Sequence, residues 1–163
     1  MVTVEPAAPA DAAAVVDLWV DLAADQRRHG SHLRADANRK AVERTLARDA
    51  AAGELTVARA DAADDIVGFV RFGVERGPLA QTRTRGLVRD LYVVPGRRDE
   101  GVGTRLLAAA EAALRERDVD VLAVEAMAPN VAAIRLYERR GYRPHRIELE
   151  REVENDKRPR GDR

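Results

Sequence analysis

Cysteine is missing from the chain altogether. Disulfides, thiolate metal sites and a cysteine acyl-enzyme are excluded with it, whatever the compartment. Lysine is scarce: Lys40 and Lys157 are the only two, so nearly all of the 28 basic residues are arginine. Serine occurs once, at Ser31, without the Gly-x-Ser-x-Gly elbow of a serine hydrolase. Net charge is also lacking, because 28 acidic residues balance the basic ones, so no overall field recruits nucleic acid or an anionic membrane. No apolar run approaches the ~20 residues needed to span a bilayer. The N-terminus carries Glu5, Asp11 and Asp17 in an alanine-rich stretch without a basic start, so it does not read as a signal peptide. The expectation is a cytoplasmic protein.

What is present reads as globular: 45% hydrophobic and 34% charged residues. Residues 1–153 are expected to form a single domain, large enough for a core without covalent staples. Residues 154–163 read as a polar, disordered tail, and Arg160-Gly161-Asp162 within it matches an adhesion tripeptide by chance.

Periodicity predicts a strand over 2–5 and a helix over 10–26, with Ala14, Leu18 and Leu22 on one face beside Val15 and Trp19. A loop follows over 27–34. A second helix is expected over 37–52, with Val42 and Leu46 inward and Gly53 as its C-terminal cap. Three strands (55–60, 66–74, 87–94) on short connections imply an antiparallel meander. A helix over 101–117 buries Leu106, Leu107, Ala110 and Leu114. The strand after it, 119–124, should lie parallel to the strand before it. A last helix over 131–140 stops at Gly141, and Ile147 and Leu149 alternate with charge in a final strand over 142–153.

The most informative stretch is the turn between the third meander strand and the 101–117 helix. Gly101 and Gly103 let backbone N–H groups approach a ligand, and the helix start supplies unpaired donors and partial positive charge, a site suited to phosphates. A dinucleotide fingerprint requires a small residue where Leu106 stands, and a P-loop requires Gly-Lys-Ser/Thr, which is absent. Both nucleotide readings fail. Further on, Asn130 stands at a helix N-cap position, and Tyr137 projects from the same face two turns later.

Arg98-x-x-Gly101-x-Gly103, then a strand, then Asn130-x-x-Ala133-x-x-Leu136-Tyr137-x-x-x-Gly141-Tyr142 resembles the GNAT acyltransferase superfamily. The resemblance implies an α/β GNAT fold, a mixed central sheet flanked by about four helices. An antiparallel N-terminal meander would be followed by a parallel pair that splays apart in the middle. It implies acetyl-CoA as cosubstrate and no metal. The coenzyme's pyrophosphate would lie on the backbone of the loop Arg98, Asp99, Gly101, Val102, Gly103 and Thr104. Its pantetheine arm would pair with Leu91 and Val93, and Asn130 would contact it from the next helix. Tyr137 matches the family's usual general acid. The family's strand glutamate is replaced by Leu87, so the base falls to Glu125, five residues before Asn130, with Asp90 and Tyr92 as alternatives on the neighbouring strand.

The acceptor expected on this reading is a primary amine of a small molecule. A protein N-terminus or lysine is the alternative, and a coenzyme-binding sensor module without turnover is a third reading. Arg27, Arg28, His29, His32 and Arg34 border the acceptor pocket in the GNAT arrangement. They either greet an acidic acceptor or are merely solvated. His29 and His32 with Asp25 and Asp36 lack a third ligand at recognisable spacing, so a solvated loop is favoured over a metal site. GNAT chains commonly end in two strands, and one is legible here. The last strand is either absent or supplied by a second copy, which raises the hypothesis of a homodimer.

Overall fold

Five strands, β1 (Val2–Pro6), β2 (Leu55–Ala60), β3 (Asp65–Val74), β4 (Arg85–Val93) and β5 (Val121–Val124), lie side by side in chain order. The computed structural model in which they are seen describes residues 1–153; the tail expected over 154–163, with its Arg160-Gly161-Asp162, lies outside the described residues. The first four strands pair antiparallel and β5 joins β4 in parallel. Four helices flank them: α1 (Ala12–Arg27), α2 (Arg39–Ala51), α3 (Val102–Arg115) and α4 (Val131–Arg139). This is the mixed sheet and helix complement expected from the sequence. None of the helices is long and apolar enough to cross a membrane.

Strand alternation sorts the core into two layers. Leu55, Val57, Phe69 and Tyr92 pack with Val15, Trp19 and Leu22 of α1 and Leu46 of α2. Ala58, Ala60, Val70, Phe72 and Val88 face Leu106, Leu107, Ala110 and Leu114 of α3, all four fully buried. Within α1 the apolar stripe runs through Ala12, Val15, Leu18, Trp19 and Leu22, whereas Ala14, expected inside, is exposed. Its methyl contributes too little apolar area to set the helix rotation against the larger side chains.

The middle of the sheet is irregular. β4 and β5 pair only from Arg85↔Val121 to Val88↔Val124, after which β4 continues for five residues without a β5 partner. At that point Arg71 opposes Asp90 while Phe72 opposes Val88, so Arg89 is an extra residue on β4. A bulge bends its strand and shifts the alternation by one. Val88, Leu91 and Val93 therefore face the α3 layer, and Tyr92 faces α1 and α2.

The strand expected over 142–153 does not form. Ile147, Leu149 and Val153 stand 78%, 89% and 84% exposed. Alternation alone cannot hold a strand: it needs a ladder partner and an apolar layer to cover, and Pro144 removes one donor at its start. The segment is tied back by His32, whose Nε2 lies 2.9 Å from Glu150.

Candidate functional site

β4 ends in a tight turn at Pro95–Arg97, and the chain then adopts left-handed backbone at Asp99 (φ 64°) and Gly101 (φ 79°) before α3 begins. Asp99 tolerates that conformation better than most side chains do, and glycine is the natural occupant at 101. No side chain caps Gly101, and the first amide near the start of α3 to find a backbone partner is that of Arg105, on the Gly101 carbonyl at 3.1 Å. The amides of Val102, Gly103 and Thr104 have no partner among the described residues and point from the positive end of the helix. A Cβ at Gly103 would meet Val93 and Leu136 at 3.7 and 3.8 Å, ordinary contact distances. Packing therefore does not require glycine there, and the open approach it leaves is available to a ligand.

Arg98 does not reach over this turn. Its Nε donates to the Val93 carbonyl at 2.9 Å, and its guanidinium lies 5.4 Å from the Tyr92 ring centre and 3.9 Å from Asp25. Its amide is engaged in a long bond to Pro95 O at 3.4 Å. Of the loop 98–104, only the Arg98 amide has a backbone partner among the described residues, and one of the two strand positions expected to pair with pantetheine, Val93, already has its carbonyl occupied.

Where the strands part, Asp90 lies near enough for its charge to act on Tyr137. Both are half-buried, one on β4 and the other on α4. Burial, and then the nearby negative charge of Asp90, push the Tyr137 phenol up to about 12. Burial also raises the Asp90 carboxyl, against the pull of the Arg71 guanidinium, which donates to it at 3.2 Å. Tyr92 is raised as well, by burial and by the charge of Asp21. Glu125 lies elsewhere in character: it directly follows β5, at the level of the bulge, and is solvent-exposed. Of the two leading carboxylate candidates, only Asp90 acts on the tyrosine.

Asn130 is the N-cap of α4, its Oδ1 accepting the Ala133 amide at 3.3 Å. The other end of that helix is fastened by a residue the sequence reading passed over. Glu111 of α3, 2% exposed, accepts from Arg140 and from the Tyr142 hydroxyl at 3.0 Å. The Tyr142 ring then meets Tyr137 edge to face, centroids 5.9 Å apart. The signal was present: Glu111 sits on the apolar stripe of α3, four residues after Leu107 and three before Leu114. Arg71 was missed in the same way, as the one charge inside an otherwise apolar strand.

The basic loop after α1 is partly spent on its own acids. Arg28 pairs with Asp25, and His32 with Glu150. No cluster of three or more potential metal ligands occurs among the described residues. Two open surface clefts, of 560 and 520 Å³, are lined by Arg135, Glu138, Arg139 and Arg143, and by residues of α1 and α2 with Pro9 and Ala10. Neither touches the glycine turn or β4.

Comparison with known proteins accords with this geometry. Residues 16–142 match the model of the acetyltransferase (GNAT) family. No curated protein matches significantly. Among solved structures, the chain is similar to a GCN5-related N-acetyltransferase from Ralstonia eutropha, with 22% identity, TM-score 0.71, and 94% of this chain and 99% of that one covered. A predicted acetyltransferase from Clostridium acetobutylicum, solved with acetyl-CoA, superposes with TM-score 0.68 at 19% identity over 93% and 96% of the two chains. AAC(6')-Iy, in complex with the bisubstrate analogue CoA-S-monomethyl-acetylneamine, gives TM-score 0.67 at 15% identity over 94% and 99%.

Proposed function

Because the chain belongs to the GNAT acetyltransferase family, we propose that it moves acetyl from acetyl-CoA to a primary amine of a small molecule by direct transfer in a ternary complex. The observation that carries the reading is the parting of β4 from β5 in front of an uncapped helix start, with Tyr137, whose hydroxyl has no hydrogen-bond partner among the described residues, within reach of the Asp90 charge. A diphosphate is satisfied by backbone donors, and the amides of Val102, Gly103 and Thr104 suit it. The free edge of β4 over 89–93 suits the amide-bearing pantetheine arm. That arm competes with Arg98 for the Val93 carbonyl, so coenzyme binding is expected to release the Arg98 side chain.

Acetyl-CoA supplies the activated acetyl group, and the protein's own residues handle protons. An ammonium near pKa ~10 cannot attack until it loses a proton. Asp90 is the base on this reading, since its carboxylate is held at the opening whereas Glu125 faces solvent. Tyr137 is the acid for the departing thiolate. With its phenol at about 12, against roughly 8.5 for a thiol, complete transfer is uphill by about 5 kcal/mol. Protonation of Asp90 removes one of the two causes of that high value, so taking the amine's proton makes Tyr137 a better acid. The two proton movements are coupled through one charge.

Tyr92 lies between the charge of Asp21 and the Arg98 guanidinium, which stacks on its ring, so this face offers an acceptor both signs of charge. The test is release of free thiol from acetyl-CoA in the presence of amino acids, polyamines, aminoglycosides and N-terminal peptides. Turnover with a small amine supports the reading. Turnover confined to peptides moves the acceptor to proteins, and coenzyme binding without turnover on any amine replaces catalysis with sensing.

A further inference from the structure

Behind Asp90 lies a charge set that the proton chemistry above does not explain. Arg71 Nε donates to Asp49 Oδ2 of α2 at 2.6 Å, and its Nη1 donates to Asp90 Oδ2 at 3.2 Å. The side chains of Asp49, Arg71 and Asp90 retain 14%, 24% and 20% of their surface, so all three are largely withdrawn from water. One cation there serves two carboxylates. The neighbouring charged and titratable groups are Arg89, beside Asp90 on β4, whose charge also favours the carboxylate, and Tyr137 of α4, on which the Asp90 charge acts.

We propose that Arg71 and Asp49 are positioning residues for the proton acceptor at the β4–β5 opening. Arg71 fixes the Asp90 carboxylate by a charged hydrogen bond, and Asp49 draws part of that guanidinium's charge away. The arrangement holds the carboxylate in place while keeping the base basic enough to take an amine's proton. A guanidinium serving Asp90 alone would make a more easily ionised and weaker base.

The inference rests on Asp90 as base, and the signs of two substitutions separate it from that reading. The acid-side limb of the kcat/KM profile reports ionisation of the free enzyme's base. Arg71→Met removes the charge that favours the carboxylate, so the limb moves to higher pH and neutral-pH activity is recovered on raising pH. Asp49→Asn keeps the shape and removes a charge that opposes ionisation, so the limb moves to lower pH. A purely structural role would lower kcat in both variants and leave the limb in place.

The experiment is the kcat/KM profile of wild type, Asp90→Asn, Glu125→Gln, Arg71→Met and Asp49→Asn with the best amine from the acceptor screen. Opposite displacements by the last two, with the limb lost in Asp90→Asn, support the proposal. Loss of the limb in Asp90→Asn with no displacement, or displacements in one direction, overturns the positioning role and leaves the base standing. Survival of the limb in Asp90→Asn and its loss in Glu125→Gln overturns both. Should Arg71→Met fail to fold, Asp49→Asn decides alone: its limb must move to lower pH.

Discussion

The two strands that part at Arg89 come from halves of the molecule built on different principles. β2 to β4 are covered on both faces, and α1 and α3 press Trp19, Leu22, Leu106 and Leu114 against them. β5 is half-exposed along its whole length, α4 buries none of its residues, and residues 143–153 are exposed throughout. The first half is fixed by apolar area, the second by a few polar fastenings: the Asn130 cap, the Thr84–Asp120 bond of 2.8 Å, and the clasp of Glu111 on Arg140 and Tyr142. The glycine turn belongs to the well-packed half and Tyr137 to the fastened one. On the proposed reading, holding the coenzyme and handling the leaving group's proton would rest on separate mechanical supports.

The comparison breaks most visibly in the core. Leu106→Ala, at a fully buried site, should cost about 3 kcal/mol of global stability, seen as a lower midpoint in urea unfolding. Tyr137→Phe should leave that midpoint in place and lower kcat about 10²-fold, with acetyl-CoA affinity nearly unchanged. Unchanged turnover would remove Tyr137 from the chemistry. The same tyrosine makes a pH prediction: the acid must stay protonated, and a phenol raised to about 12 remains so. The kcat profile should therefore stay flat up to about pH 10; a fall from pH 8 to 9 contradicts the assignment.

Glu111→Ala comes next, at about 2 kcal/mol, since Arg140 is one-third exposed and regains water when its partner goes. Its signature is local. Hydrogen exchange should quicken in α4 while the β2–β4 amides keep their protection, and uniform acceleration would show that the two halves are not separately supported. The smallest effect is expected at the far end. Ile147→Ser and Leu149→Ser should change stability by less than about 0.5 kcal/mol. A larger, concentration-dependent loss would mean that another copy covers them.

What the sequence disclosed divides along the same line. Strand and helix positions in the packed half follow from apolar periodicity, which burial enforces: β2 falls on 55–60, and α3 buries the four residues expected of it. The glycine turn was legible because a left-handed residue and an uncapped helix leave marks in residue type. Local pattern misled at 142–153, where alternation implies a strand but pairing depends on a neighbour that the described residues do not provide. Glu111, Arg71 and Asp49 went unread because a charge is identified as buried only once its distant partner is known: Arg71 lies 22 residues from Asp49 and 19 from Asp90.

The central claim is that the turn before α3 holds the coenzyme's phosphates. Calorimetric titration of acetyl-CoA into wild type and Gly103→Glu tests it most directly, because a Cβ at 103 meets its neighbours at ordinary distances and the fold should persist. The account predicts saturable binding to wild type and none detectable to the variant, where a carboxylate and its bulk occupy the donors' approach. Equal affinity in the two proteins would contradict it.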